Sequence, residues 1–269
     1  MAKNTIQQGY RNSLNAGQKT AMWTFLGIVA IIMVLPMWNV LVVSTSSTLS
    51  SSQSGFLLWW DAFSFEGFRY VFEICKLGRP FFNSLLVTTV GTAIQVLLSS
   101  IAGYVLIQRE LPFKGLITSF VMLTMMIPGD LTMISIYQLN RSLHLLNSYT
   151  GLIVNGLISG FSILLMRNFF ETISYTLSES ARIDGASELR IFAGIYMPVS
   201  LPGLATVFFM EYVSKWNSIT IPATLLTNER LYTLPLKLKM MILSTDSTSG
   251  TAQIPNNAIM AAIIITALP

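Results

Sequence analysis

Charge is scarce in this chain. Asp, Glu, Lys and Arg make up 10% of the 269 residues and hydrophobic residues 52%, against about 25% charged in soluble domains. A water-soluble protein of this length needs far more charge to cover its surface, so the composition reads as that of a membrane protein. The single cysteine, Cys75, excludes an internal disulfide, and no Cys or His stands near it at metal-ligand spacing. The single histidine, His144, in a short polar stretch between apolar runs, leaves little for His-based catalysis. A net charge of +4, scattered and without a basic stripe among aromatics, argues against nucleic acid. No Gly-x-x-x-x-Gly-Lys-Ser/Thr phosphate loop occurs, so nucleotide hydrolysis is not expected of this chain.

Apolar runs dominate what is present. Residues 1–20 are polar, with Lys3, Arg11 and Lys19 and no acid, and read as a cytoplasmic tail ahead of a transmembrane domain at 21–269. The run from about Ala21 to Val43 exceeds the ~20 residues a span needs, and Pro36 is tolerated in membrane helices. A signal peptide is the rival reading, but the run is longer than a typical h-region. Residues 44–79 mix serines with Trp59, Trp60, Phe63, Phe65, Phe68 and Tyr70, a composition suited to a membrane interface.

Further spans are expected at about Phe81–Ile107, Gly115–Leu139, Tyr149–Met166 and Val199–Ile221. The run Asn257–Pro269 is too short to cross and reads as the start of a sixth span cut short. In the second span Thr88, Thr92, Gln95 and Ser99 form a polar stripe on one helical face, which either packs against neighbouring helices or lines a wet path. In the third, Pro128 and Gly129 beside Asp130 suggest a broken helix facing a pathway; alternatively the span ends there and Asp130 lies near the outer surface. The fourth carries Gly156 and Gly160 at the spacing of close helix contacts, with Asn155, Ser159 and Ser162 beside them. The fifth carries Glu211 and Lys215 at i, i+4, a spacing that allows an ion pair. Glu211, Tyr212, Lys215, Trp216 and Asn217 are candidates for a substrate pathway or its outer gate, or a self-paired structural element between helices.

Between the fourth and fifth spans lies the longest charged interlude, Leu177 to Pro202. Ser178 is placed to cap a short helix through Arg182 with Glu179 in its first turn. Asp184-Gly185 is a turn pair, a second short helix begins near Ser187, and Pro198 and Pro202 restart the chain at the next span. Two short helices meeting at a glycine are expected.

The spacing of Glu179, Ser180, Ala181, Gly185, Ile195 and Pro198 resembles the Glu-Ala-Ala loop of ABC importer permeases, with Ser180 at the second Ala and Met197 at the Leu. The runs from Asn140 to Ile153, Met166 to Phe170, Arg182 to Ala186 and Lys215 to Asn217 are similar to the carbohydrate branch of binding-protein-dependent importers. The smaller maltose permease subunit and the alginate-type permeases belong to that branch. The resemblance implies an all-α polytopic protein with six transmembrane helices of the type I importer kind. It implies a cytoplasmic two-helix coupling loop at about 168–200, facing an ATPase.

On that resemblance Glu179, Ala181, Arg182, Asp184 and Gly185 couple to the ATPase, while Asp130, Asn155, Ser159, Glu211, Tyr212, Trp216 and Asn217 are candidates for the pathway. It implies no catalytic residue, metal or cofactor in this chain, since ATP and Mg belong to the partner. The implied partners are a second related permease subunit, two ATPase subunits, an extracytoplasmic binding protein, lipid and an oligosaccharide, neutral or acidic as in uronate importers. The location implied is the bacterial cytoplasmic (inner) membrane, with the N-terminus inside. The alternatives are a permease for a peptide, amino acid or other solute, or a membrane-embedded enzyme or sensor. The last would need an acid, base or metal cluster, for which the spans offer only Asp130, Glu211 and Lys215.

Overall fold

A computed structural model describes residues 15–53, 56–246 and 254–267. Among the described residues the regular structure is helical, and the only β pairing is an isolated bridge between Ser46 and Phe63. The backbone groups of a chain in lipid must be satisfied within the segment, which favours helices for so apolar a sequence. Among the described residues two compact units are present, one formed within 15–71 and 254–264 and one within 72–246 and 265–267.

The first unit contains α1 (Ala16–Ser44), α2 (Thr48–Gln53), α3 (Glu66–Glu73) and most of the C-terminal helix. The Gln18 side chain accepts the Asn15 N–H at 3.0 Å and α1 then runs 29 residues through Pro36. Only 17% of its apolar window is buried within the chain, leaving most of the helix open. The segment after it carries an aromatic relay from Trp38 through Trp60 and Phe63 to Phe65, ring to ring at 5.1–6.3 Å. Trp38 donates to the Leu58 carbonyl and Trp60 to Thr45, so both indoles pack their bodies while their N–H groups are satisfied.

The second unit is organised around α4 (Gly78–Ile107), 30 residues long and 50% buried in its apolar window. It is followed by α5 (Lys114–Met126), α6 (Met133–Ser142), α7 (Tyr149–Val154), α8 (Gly160–Glu171), α9 (Tyr175–Ile183), α10 (Glu188–Ile191), α11 (Met197–Val199), α12 (Leu201–Trp216), α13 (Thr220–Leu225) and α14 (Leu234–Asp246). The C-terminal helix is α15 (Asn256–Ala267). α8 and α12 pack along α4. The approach of α4 to α8 is close enough that a Cβ on Gly103 would stand 2.9 Å from the Arg167 nitrogen.

Two expected spans are interrupted. The third is α5, a break at Ile127-Pro128, a 3₁₀ turn at Gly129–Thr132, and α6. Proline lacks an N–H and disfavours the helical conformation before it, which accounts for the break. Asp130 lies in that turn, and its side chain is outside the described part of the structure. The fourth expected span is not one helix either, since the chain leaves helix between Asn155 and Ser159. Gly160 does make the close contact its spacing suggests, against Val121 and Thr124 of α5, whereas Gly156 sits in the break. The fifth span is α12, shorter than expected at both ends and bent by 79° from the limb Glu188–Val199. We read α12 as the spanning limb and Glu188–Val199 as part of the loop.

Two apolar clusters lie toward opposite ends of α4. One gathers Val96, Tyr104, Met166, Phe170, Ile191, Phe192, Tyr196, Leu204 and Val207, the other Leu152, Leu225, Leu226 and Leu236. Tyr104 and Thr88 are 16 positions apart on α4, about 24 Å at 1.5 Å per residue. The stripe Thr88, Thr92, Gln95 and Ser99 is buried throughout, so it packs inside this chain. Among the described residues Thr92 Oγ1, Gln95 Oε1 and Ser99 Oγ make no hydrogen bond.

Candidate functional site

The loop between α8 and α12 is built by two caps. At the end of α9 the Gly185 N–H reaches the Arg182 carbonyl at 3.0 Å and the Ala186 N–H reaches the Ala181 carbonyl at 2.9 Å. This pair of bonds with Gly185 at φ +78° is the Schellman arrangement, and it explains the glycine: a side chain there would force a left-handed conformation that L-residues resist. Ser187 then caps α10, its hydroxyl accepting the Arg190 N–H at 3.4 Å. The expectation that Ser178 caps the first helix is corrected. α9 begins a turn earlier, after Ser174, and Ser178 is a buried mid-helix residue whose hydroxyl donates to the Tyr175 carbonyl. The second helix is also more than a short turn of α form, because Phe192–Tyr196 is a π segment that continues into α11. Its rings close on α4, with Tyr196 5.0 Å and Phe192 5.3 Å from the Tyr104 ring.

Arg182 is the hub of this loop. Its Nε donates to Glu188 Oε1 at 2.7 Å, Nη1 to the Tyr175 hydroxyl at 2.9 Å, and Nη2 to Gln108 Oε1 at 2.9 Å and Glu188 Oε2 at 3.3 Å. The hydroxyl of buried Tyr104 donates to Glu188 Oε2 at 2.6 Å. One guanidinium and one carboxylate thereby tie α9, α10 and the end of α4 together. The Arg182 guanidinium, followed by the Tyr104 hydroxyl, holds the Glu188 carboxyl below its ordinary range. Arg109 lies over the Tyr175 ring, 4.0 Å from its centroid, and 3.9 Å from Glu179, both of these charges being exposed.

Of the residues singled out from the loop's sequence, Arg182 is in this network and Ala181 packs against the α4 cluster. Glu179, Asp184 and Gly185 are exposed, and so are the apolar side chains of Ile183 at 86% and Leu189 at 75%. Glu188, Gln108 and Tyr104 were missed. Arg182 and Glu188 stand six apart across a glycine turn, a signal that was available; the approach of Tyr104 across 84 positions was not.

A second polar arrangement spans the break between α7 and α8. Lys215 donates to the carbonyl of Gly156, just past the end of α7, and Glu211 accepts from the hydroxyl of Ser162 in the first turn of α8. A helix is partially negative at its C-terminal end and partially positive at its N-terminal end, so each charge meets the pole of opposite sign. Beside the ion pair that the i, i+4 spacing of Glu211 and Lys215 allows, the two side chains make these contacts across the break. Asn155 exchanges amide bonds with Asn140 at 2.9 and 3.1 Å. Ser159 caps α8 by accepting the Ser162 N–H at 3.3 Å.

The aromatic candidates on α12 are packed. Tyr212 is half-buried and stacked between Phe208 and Trp216 at 5.8 and 6.2 Å. Trp216 is buried against Phe81 and donates to the Thr266 carbonyl at 2.8 Å. Asn217 is exposed, its amide bonded to Val213 of its own helix. Beside Lys215 is a cavity of about 80 Å³ whose polar lining is Ser84, Thr88, Asn155, Lys215, Ser218 and Thr233.

A helical chain with exposed apolar helices, broken spans and a charged helical loop tied to its central helix is a membrane transport subunit in class. It belongs to the binding-protein-dependent transport system inner membrane component family, which residues 95–269 match. Members are ABC permeases, transport subunits and not enzymes. The chain is 31% identical over 229 residues to the polygalacturonan/rhamnogalacturonan transport system permease protein YtcP of Bacillus subtilis (strain 168), covering 85% of this chain and 79% of that one. It is 27% identical to the arabinooligosaccharides transport system permease protein AraQ of Halalkalibacterium halodurans, over 80% of this chain and 78% of that one. Its fold is similar, at TM-score 0.85 and 24% identity over 93% of this chain and 91% of the other, to a chain in the crystal structure of a bacterial ABC transporter involved in the import of the acidic polysaccharide alginate.

Proposed function

We propose that the chain is one of two related permease subunits of an ATP-driven importer that carries an oligosaccharide across the bacterial cytoplasmic membrane. Its N-terminus and the loop at 168–200 are cytoplasmic in this reading. ATP and Mg act on two partner ATPase subunits, and an extracytoplasmic binding protein delivers the sugar.

The observation that carries the proposal is the loop itself. Ile183 and Leu189 are exposed apolar side chains flanking the Gly185 turn, on a segment whose inner side is tied through Arg182 and Glu188 to α4. Such a segment can seat in a partner's groove while passing displacement to the spans. Glu179, Asp184 and Gly185 are on its exposed side and take the contact role, while Ala181 and Arg182 take the transmitting one. Relatives named for pectic and arabinose oligosaccharides support a saccharide substrate, acidic or neutral.

The test is ATPase activity of the purified complex in lipid, with the binding protein loaded with oligogalacturonate or with arabino-oligosaccharide. Stimulation by one loaded sugar is expected. A permease that purifies with no ATPase partner would overturn the reading.

A further inference from the structure

Among the described residues the cavity beside Lys215 is lined by one charged group, the ammonium, and by no carboxylate. Glu211, one turn earlier on α12, is engaged by Ser162 and is not among the lining residues. Lys215 commits one N–H to the Gly156 carbonyl, and an ammonium has three. The Ser84 hydroxyl oxygen accepts the Leu234 N–H at 2.7 Å, which leaves its own proton to donate. Thr233 is 6% exposed and its hydroxyl makes no hydrogen bond among the described residues. It also stands at the start of α14, a 13-residue helix whose N-terminal end is the positive one. A half-buried cation and several hydroxyl donors, with the neighbouring Glu211 carboxylate engaged by Ser162 and outside the lining, form an environment in which a negative group is stabilised and a neutral one gains little. The volume of about 80 Å³ is several times the ~10–15 Å³ that one water requires, which suits a carboxylate-sized group.

We infer that this cavity is a binding site for a single small anionic group, either chloride or the carboxylate of an acidic sugar, with Lys215 as counter-charge and the hydroxyls of Thr88, Ser84 and Thr233 as donors. In the second case the importer would favour an acidic over a neutral substrate, which rests on the function proposed above; anion binding itself does not.

The test uses the intact complex in nanodiscs in HEPES buffer without added salt, its melting temperature followed on adding sodium chloride, sodium galacturonate or galactose. Chloride or galacturonate is expected to raise the melting temperature by about 2–4 °C and galactose to leave it unchanged. Lys215→Met and the isosteric Thr233→Val should each abolish the shift. The threonine variant keeps the test sharp if loss of Lys215 impairs folding, since valine keeps the Thr233 carbonyl that accepts the Lys237 N–H, and the Thr233 hydroxyl has no hydrogen bond to lose among the described residues. Galacturonate that displaces the chloride effect identifies a substrate carboxylate, and chloride acting alone identifies a resident ion. No shift with either anion in the wild type, or a shift that survives in Thr233→Val, overturns the inference. ATPase stimulation by sugars plays no part in this readout, so failure of the importer reading would show separately.

Discussion

Replacing Glu188 with alanine tests whether the loop is held to α4 by the Arg182 hub. The substitution removes both acceptor oxygens for Arg182 and leaves the buried Tyr104 hydroxyl without its carboxylate. The ion pair itself is partly exposed, with side chains 30% and 57% accessible, so solvent screening limits it to about 0–1 kcal/mol. An unsatisfied buried hydroxyl costs about 1–3 kcal/mol. Together they predict a loosening of about 1–4 kcal/mol, a factor of roughly 5 to 10³ in the opening equilibrium. Amide exchange across residues 186–191 should accelerate by that factor in the complex at neutral pH. Glu179→Gln should change it little, since the Glu179 contact to Arg109 is 3.9 Å between exposed groups.

The pH dependence follows from the direction of the Glu188 shift. A carboxyl held below its ordinary value of 4.5 contributes fully above that value and loses its contribution as pH falls through the lowered one. The difference between wild type and Glu188→Ala should therefore be undiminished from pH 8 to pH 5 and shrink only in stronger acid. Equal exchange rates in the two proteins at pH 7 would refute the hub.

Three other outcomes are expected. Gly185→Val, at φ +78°, should strain the turn by about 1–2 kcal/mol and lower sugar-driven ATPase coupling or ATPase retention; wild-type uptake would remove Gly185 from the coupling role. Gly103→Ala places a Cβ 2.9 Å from the Arg167 nitrogen, and overpacking of about 1–3 kcal/mol should appear as a lower melting temperature of the complex. Exchanging the charges, Glu211→Lys with Lys215→Glu, puts each against the like pole of α7 or α8; it should melt below the doubly neutral Glu211→Gln, Lys215→Met protein, whereas simple ion pairing on α12 would make the exchange the more stable of the two.

Local rules made much of the fold readable. Long apolar runs announced α1 and α4 because a helix in lipid satisfies its own backbone, and no other element competes. Asp184-Gly185 announced its turn because only glycine enters the left-handed region without strain. The break in the third span was likewise carried by Pro128 and Gly129. The break after α7 was not legible, because Asn155, Gly156 and Ser159 are each compatible with a membrane helix. The contacts across that break are tertiary: Lys215 at one lip and Glu211 at the other, 59 and 49 positions from their partners in sequence.

The same distinction explains where the charges of α12 are placed. At i, i+4 an acid and a base are neighbours on a helix surface, and in water their mutual attraction is the available gain. Inside a packed bundle the ends of other helices offer further partners. Glu211 and Lys215 each contact such an end, through the Ser162 hydroxyl and the Gly156 carbonyl, and which end each meets depends on where α7 ends and cannot be read along α12 alone. Arg182 follows the same logic at the loop, where the carboxylate it takes is Glu188, beyond the Gly185 turn, and not the nearer Glu179 of its own helix. At both places the helix ends brought together by folding decide what each charge touches.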